Sequence, residues 1–268
     1  MKIKHSLKTA IAGLKTNKMR AVLTILGIVI GIAAIMLIMS IGKGAEGLIL
    51  NELGGMGAET IVIRPGKEPT GPSDAAQALF SDSLKKRDVE ALKNKNNVPH
   101  LVDIAPVVIV SGSVSYLGET YRPTIFGWSA EMLGRMLNTV PREGYFFTEG
   151  DIKQQAPVVV IGSKVKDELF GDSDAVGENI KIKNKNFRVV GVMPKKGQAT
   201  LFNIDESVVL PYTTAQTYLA SVDYYHEIMI MAESPELVDR TVADVKTTLR
   251  NLHNITDPDK DDFNVVTQ

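Results

Sequence analysis

Four histidines and a run of aspartates are the side chains of this sequence best suited to chemistry. His5, His100, His226 and His253 are scattered, with no HExxH or other ligand-like spacing, and read as surface residues rather than metal ligands. Asp257, Asp259 and Asp261 alternate in DPDKDD and superficially resemble a calcium loop. Its sixth position, which needs glycine for the sharp turn, is Asp262, and its twelfth is Gln268 instead of glutamate. A solvated acidic turn is the expectation. Gly42-Lys43 is the Gly-Lys pair nearest a Walker spacing, but Leu37 stands five residues earlier and Gly44 replaces the Ser or Thr. No serine sits in GxSxG. The absence of cysteine excludes thiol catalysis, disulfides and thiolate metal sites. Asn254-Ile255-Thr256 is a glycosylation triplet of a kind frequent by chance, and Trp128 is expected in the core. No catalytic constellation emerges, so the expectation is a chain without enzymatic activity of its own, without cofactor and without metal.

The elements around these residues are more informative. Residues 1–42 hold six basic side chains (Lys2, Lys4, Lys8, Lys15, Lys18, Arg20) and no acid, so with an overall net charge of −1 the remainder carries −7. A mildly acidic body argues against nucleic acid as a partner. Residues 21–42, AVLTILGIVIGIAAIMLIMSIG, contain no charge. At ~1.5 Å per residue they span ~33 Å, enough to cross a hydrocarbon core of ~30 Å. A cleaved signal peptide has an apolar stretch of only ~7–15 residues, and a buried helix this long would carry a charged face. The segment is therefore expected to be a transmembrane helix. The basic residues before it, against Glu46, Glu52 and Glu59 after it, place the N-terminus in the cytoplasm and residues 43–268 outside the cell (inner) membrane.

Gly27 and Gly31 form a GxxxG pair that lets a second helix approach closely, although glycine is also simply common in membrane helices. Ser6 to Lys18 has Leu7, Ile11 and Leu14 at i, i+4 and i+7, the pattern of an amphipathic helix. Such a helix lies on anionic lipid or docks a cytoplasmic partner. Residues 1–20 are thus a basic cytoplasmic segment, and 43–58 a helical extension or stalk ending at Gly54-Gly55.

Beyond it the expected order is strand Thr60–Arg64, a Gly/Pro/Ser/Asp-rich loop over 65–82, helix Ser83–Asn94 and strand Leu101–Val110. The same order returns as strand His226–Ala232, helix Pro235–Leu252 and strand Phe263–Val266. Two β-α-β units suggest a split ferredoxin-like domain. Between them lie short strands, Val114–Tyr116, Tyr121–Phe126, Val158–Gly162, Asn179–Ile182 and Phe187–Val192, the last two joined by a KNKN hairpin. Short helices are expected near Glu131 and at Lys164–Phe170. The fold class is α+β: one transmembrane helix, then a porter-like subdomain (59–110 and 208–268) carrying a mainly β insertion (111–207).

NKMRAVLTILGIVIGIAAIMLIMSIGKGAE (17–46) resembles the first membrane helix of MacB-type ABC transporter permeases, in the wider FtsX-like group. IAPVVIVSG (104–112), REGYFFTEGD (142–151), VVVIGSKVKDELFG (158–171), VGENIKIKNKNFRVVGVMPKKG (176–197), VVLPYTTAQ (208–216) and DDFNVVTQ (261–268) follow in the order and spacing of that family. The resemblance implies a permease subunit with a periplasmic core domain. In the family the permease forms a dimer or permease pair and works with a cytoplasmic ABC ATPase, whose closure is transmitted to the outer domain. It also implies a possible envelope adaptor or substrate protein, and a cargo of peptide, lipoprotein or drug, or none. The region Asn17, Lys18 and Arg20 is the stretch to which a cytoplasmic partner or lipid headgroup contact is carried over. The family continues with three further membrane helices where this sequence stops at Gln268, as expected of a fragment or a split gene product. The alternative is a single-span envelope binding or scaffold protein without ATP coupling.

Overall fold

The computed structural model describes residues 18–53, 59–67, 81–199 and 202–267. The chain divides into two units, residues 1–52 and 53–268, and each is described by itself. The first is one helix, α1 (Lys18–Leu53), 36 residues long. Residues 22–40 expose every side chain. A helix apolar on all sides and covered on none is built for lipid, where its backbone bonds are satisfied internally. The helix runs on past the uncharged stretch to Leu53, as expected. The Gly54-Gly55 stop lies outside the described residues, as do Asn17 and nearly all of the amphipathic segment (Ser6–Lys18).

The second unit is mixed. Its elements are β1 (Thr60–Pro65), α2 (Lys86–Lys93), β2 (Leu101–Val110), β3 (Val114–Tyr116), β4 (Glu119–Tyr121), β5 (Thr124–Trp128), α3 (Ala130–Met136), β6 (Glu143–Gly144), α4 (Glu149–Lys153) and β7 (Val158–Ile161). Then come α5 (Ser163–Phe170), β8 (Asn179–Ile182), β9 (Lys185–Val192), β10 (Gln198–Ala199), β11 (Phe202–Asn203) and β12 (Ser207–Pro211). After a short helical turn, α6 (Tyr212–Thr214), a π-helix covers Ala215–Ala220. The chain then forms β13 (Glu227–Ala232), α7 (Val238–His253) and β14 (Phe263–Thr267).

The strands order as β14–β1–β13–β2 and then β5–β12–β7–β9–β8–β3–β4. In the first portion all neighbours are antiparallel. This is the order a split pair of β-α-β units produces, each half supplying alternate strands. β1 shows why its sequence reads as a continuous apolar run. Ile61 and Ile63 are fully buried with Leu92, Val245 and Leu249 of the helices, while Val62 packs in a second cluster with Ala105, Met132 and Met229. A strand covered on both faces has no polar alternation.

β2 belongs to both portions. Its residues 101–107 pair with β13 and 108–110 with β5. β12 pairs parallel with β5 and antiparallel with β7, so the chain position expected to separate the two subdomains, 207/208, falls inside a strand tied to the β-rich portion. The expected strand Tyr121–Phe126 is instead two strands separated at Arg122-Pro123, because proline has no N–H to give to a ladder. α4 and the helical segment 212–220 lie where no helix was expected.

Two tight hairpins use positive φ at both central residues, the pattern that matches strand twist. One is the expected KNKN turn, with Lys183 (φ 46°) and Asn184 (φ 67°). The other has Leu117 (φ 45°) and Gly118 (φ 99°), and Leu117 is 88% exposed. A left-handed leucine crowds its Cβ against the backbone, which asparagine tolerates better. Leu117→Asn is expected to raise stability by about 1 kcal/mol, read as a higher denaturation midpoint. An unchanged or lower midpoint would count against strain at this turn.

Candidate functional site: a bare apolar helix and a histidine clasp

Gly27 and Gly31 lie one turn apart on α1, and a Cβ placed at either would meet no other atom within 4 Å. The glycine face is open, as is the rest of the 22–40 stretch. Lys18 is exposed at the start of the helix. Lys18, Arg20, Gly27 and Gly31 are thus on one helix, while Asn17 lies outside the described residues.

In the outer unit the structure corrects the reading of the histidines. His253 is not on the surface: its side chain is 3% exposed, at the C-terminal end of α7. Nε2 lies 3.1 Å from Asp88 Oδ1, and Nδ1 lies 2.7 Å from Asp262 Oδ1. Asp88 is wholly buried in the first turn of α2, where its other oxygen accepts the Lys85 backbone N–H at 2.6 Å. Its side chain thereby caps α2. The Asp262 carbonyl accepts from Gly66 N (2.8 Å) and Ser83 Oγ (2.7 Å). One imidazole therefore joins the first β-α-β half to the second, and the residue it holds ties both ends of the loop between β1 and α2. Both ring nitrogens are engaged by carboxylates, which fixes the ring; the cluster is built to hold, not to attack.

The acidic turn is half as expected. Asp257 and Asp259 are exposed, Asp257 capping a short 3-10 helix through the Asp259 N–H. Asp261 instead grips Arg250, with Nε at 2.9 Å and Nη2 at 2.7 Å, and the hydrogen bond raises the Arg250 pKa further. Among the described residues no group of three or more His, Asp or Glu side chains is placed to hold a metal ion.

His226 marks the junction of the two sheet portions. Its backbone N–H donates to Val107 O at 2.9 Å, and its Nδ1 accepts the Ile109 N–H at 3.2 Å. The imidazole thus completes the ladder where β2 leaves β13 for β5. Burial lowers its pKa below the ordinary 6.5. A group depressed in this way contributes stability above its unfolded pKa and loses it as pH falls through 6.5 toward the folded value. Wild type is expected to lose more of its denaturation midpoint than His226→Asn when pH drops from about 7 to about 5. Parallel curves for the two proteins would remove His226 from the acid response.

The family model described as MacB-like periplasmic core domain matches residues 21–248. The chain belongs to that family. A macrolide export ATP-binding/permease protein MacB of Chlorobaculum tepidum is 30% identical over 96% of this chain, and that of Bdellovibrio bacteriovorus is 33% identical over 84%. The MacB-like chain spans 39% and 35% of those two proteins. Among solved structures, the periplasmic region of MacB from Actinobacillus actinomycetemcomitans aligns with a TM-score of 0.67 at 20% identity, covering 82% of this chain and 93% of that one. The extracellular domain of the noncanonic ABC-type transporter YknZ from Gram-positive bacteria aligns at 0.60 and 16%, covering 78% and 100%. These two likenesses confirm the fold of the outer unit. With the 19-residue apolar span Val22–Ser40, family membership makes this a membrane protein with an extracytoplasmic domain of the ABC-transporter MacB type.

Sequence reasoning did not find the Asp88–His253–Asp262 cluster. Its members are 165 and 9 residues apart, and no local motif marks them. A weak signal existed: two β-α-β units place the start of the first helix and the end of the second at the same edge.

Proposed function

We propose that the chain is the permease part of an ABC-type export or mechanotransmission system, presenting an outer domain that responds to ATP hydrolysis by a separate cytoplasmic ATPase. The observation that carries this reading is α1. It is a helix with 19 consecutive exposed residues and an open Gly27/Gly31 face, and it precedes a MacB-like domain. An apolar helix gains little from the hydrophobic effect by meeting another in lipid, so close packing at small residues is what joins such helices. The glycine face accordingly serves a helix–helix contact in a homodimer or permease pair. The N-terminus lies in the cytoplasm, where Asn17, Lys18 and Arg20 meet the ATPase or lipid headgroups. The outer domain is read as two subdomains, with β12 assigned to the β-rich one on its pairing. The outer domain itself is read as non-catalytic.

Copurification from membranes is the test. A stoichiometric ATPase recovered with the wild-type chain, and reduced by Gly27→Leu/Gly31→Leu, supports the reading. Its reproducible absence leaves the single-span scaffold alternative. Orientation is tested separately, because the sequence has no cysteine of its own. Asp259→Cys is expected to react with an impermeant maleimide on intact spheroplasts, and Lys18→Cys only after permeabilisation. The reverse pattern would refute the orientation.

A further inference from the structure

The chain passes between the two sheet portions at two places. One is β2 itself, which pairs with both. The other is the stretch from Tyr212 to His226, which carries the chain from β12 to β13. The second crossing contains the π-helix Ala215–Ala220. A π-turn holds one residue more than an α-turn, is rare, and occurs mostly as single turns at places that move or bind.

The ends of this segment are held differently. At its start, Thr214 and Ala215 are fully buried. Thr214 Oγ1 donates to Ala156 O at 3.1 Å, and Thr213 Oγ1 donates to Ile152 O. Ala215 fits against β5 only because residue 127 is glycine, since a Cβ there would stand 2.3 Å from the Ala215 Cβ. The C-terminal end is fastened by the buried Leu219 side chain, with Ala220 and Val222 packed beside it, and by hydrogen bonds nearer the surface. Ser221 N donates to Gln216 O at 2.8 Å, an i to i+5 bond that closes the wide turn. Ser221 then takes φ 55°. Lys183 Nζ, from the β8–β9 hairpin, donates to Leu219 O at 3.0 Å, and Lys185 Nζ lies 4.4 Å above the exposed Tyr218 ring. Downstream, Tyr225 N donates to Leu84 O at 2.8 Å and so anchors the chain to the first sheet portion. Gln216 Nε2 reaches across to Tyr224 O at 3.1 Å.

We propose that this π-helix is a one-residue reserve of chain between the two sheet portions. Exchanging its i to i+5 bonds for i to i+4 bonds releases Ser221 into the link before Tyr225. One extended residue adds about 3.3 Å of reach. The exchange loses the Lys183 and Ser221 contacts, repacks Leu219 in the core and gains regular helical bonds, so the two registers differ by one apolar side chain's repacking and a few hydrogen bonds. The buried start stays pinned by Thr214 and Gly127, and the slip is confined to residues 216–221. The link thereby lengthens without breaking the ladder, and the sheet portions shift against each other about β2. This inference does not depend on the ATPase partner.

Hydrogen exchange on the full chain in detergent tests it, with the deletion of Thr217, which is exposed, as the principal variant. In the wild type, amides of 216–222 are expected to exchange at least about tenfold faster than those of α7 and β2. Deleting Thr217 removes the extra residue and is expected to slow them about tenfold, with α7 and β2 little changed. Lys183→Met, which keeps the residue count, is expected to speed them about threefold. Wild-type protection of 216–222 equal to that of α7 overturns the proposal. If the deletion strips protection from both sheet portions, the Lys183→Met result decides: faster exchange confined to 216–222 upholds the reserve, and no change overturns it.

Discussion

Replacing His253 by alanine is expected to lower the stability of the outer unit by about 3 kcal/mol. The loss comes mainly from Asp88. That carboxylate is wholly buried, and its remaining neighbours are the Lys85 N–H and Arg87 Nε at 3.6 Å. Removing the imidazole leaves a buried charge facing a void, which costs more than the pair itself contributes. Asp262 is 48% exposed at its side chain, so water can replace its lost partner. His253→Ala is therefore expected to be rescued in part by Asp88→Asn in the same chain, and not by Asp262→Asn. Trp128 is the sole tryptophan and 1% exposed, so its fluorescence reports unfolding directly. A loss below about 1 kcal/mol would show that the cluster is incidental to stability.

Gly162→Ala is expected to be at least as damaging. A Cβ at this position would stand 2.2 Å from Ile204 O and 2.3 Å from Asp205 O. Both are backbone atoms and cannot rotate aside. The strand-to-helix turn from β7 to α5 and the segment before β12 would have to separate. That segment is fixed: Gly162 N donates to Ser207 O at 2.8 Å, and the buried Asp205 carboxylate accepts from Lys196 N and Gly197 N at 2.9 Å each. Overpacking of this kind costs about 3 kcal/mol or more when backbone must move. Gly150→Ala in α4 is the control, since its Cβ would meet only the Thr148 hydroxyl, at 3.3 Å, and alanine favours a helix. Equal midpoints for the two variants would mean that the close approach at Gly162 relaxes easily.

The elements that could be read in the sequence are those whose signal is local. The span 22–40, the strand Leu101–Val110 and the KNKN turn each carry their cause within a few residues: absence of charge, a β-branched run, two residues that accept positive φ. α4 had such a signal too, since Thr148 and Asp151 form a capping box three residues apart, but its five residues have too little periodicity to stand out. The π-helix has none, because its wide turn is imposed by what it packs against, Gly127 on one side and the β8–β9 hairpin at its end. The clasp was illegible for a related reason. A histidine 165 residues from its buried aspartate looks like any surface histidine until the strand order brings α2 and α7 together. The family resemblance reached the outer domain as a whole without marking any of these contacts.

The strand order also sets a timetable for biosynthesis. β1 lies between β13 and β14, its register fixed by Ile63 against Ile228 on one side and Val265 on the other. When β1 leaves the ribosome neither neighbour exists. At roughly 5–20 residues per second it waits some ten to forty seconds for both, long after α1 has emerged and entered the bilayer. Throughout that interval an apolar strand with two bare edges stays unpaired, so the β14–β1–β13–β2 portion closes only when its last strands arrive.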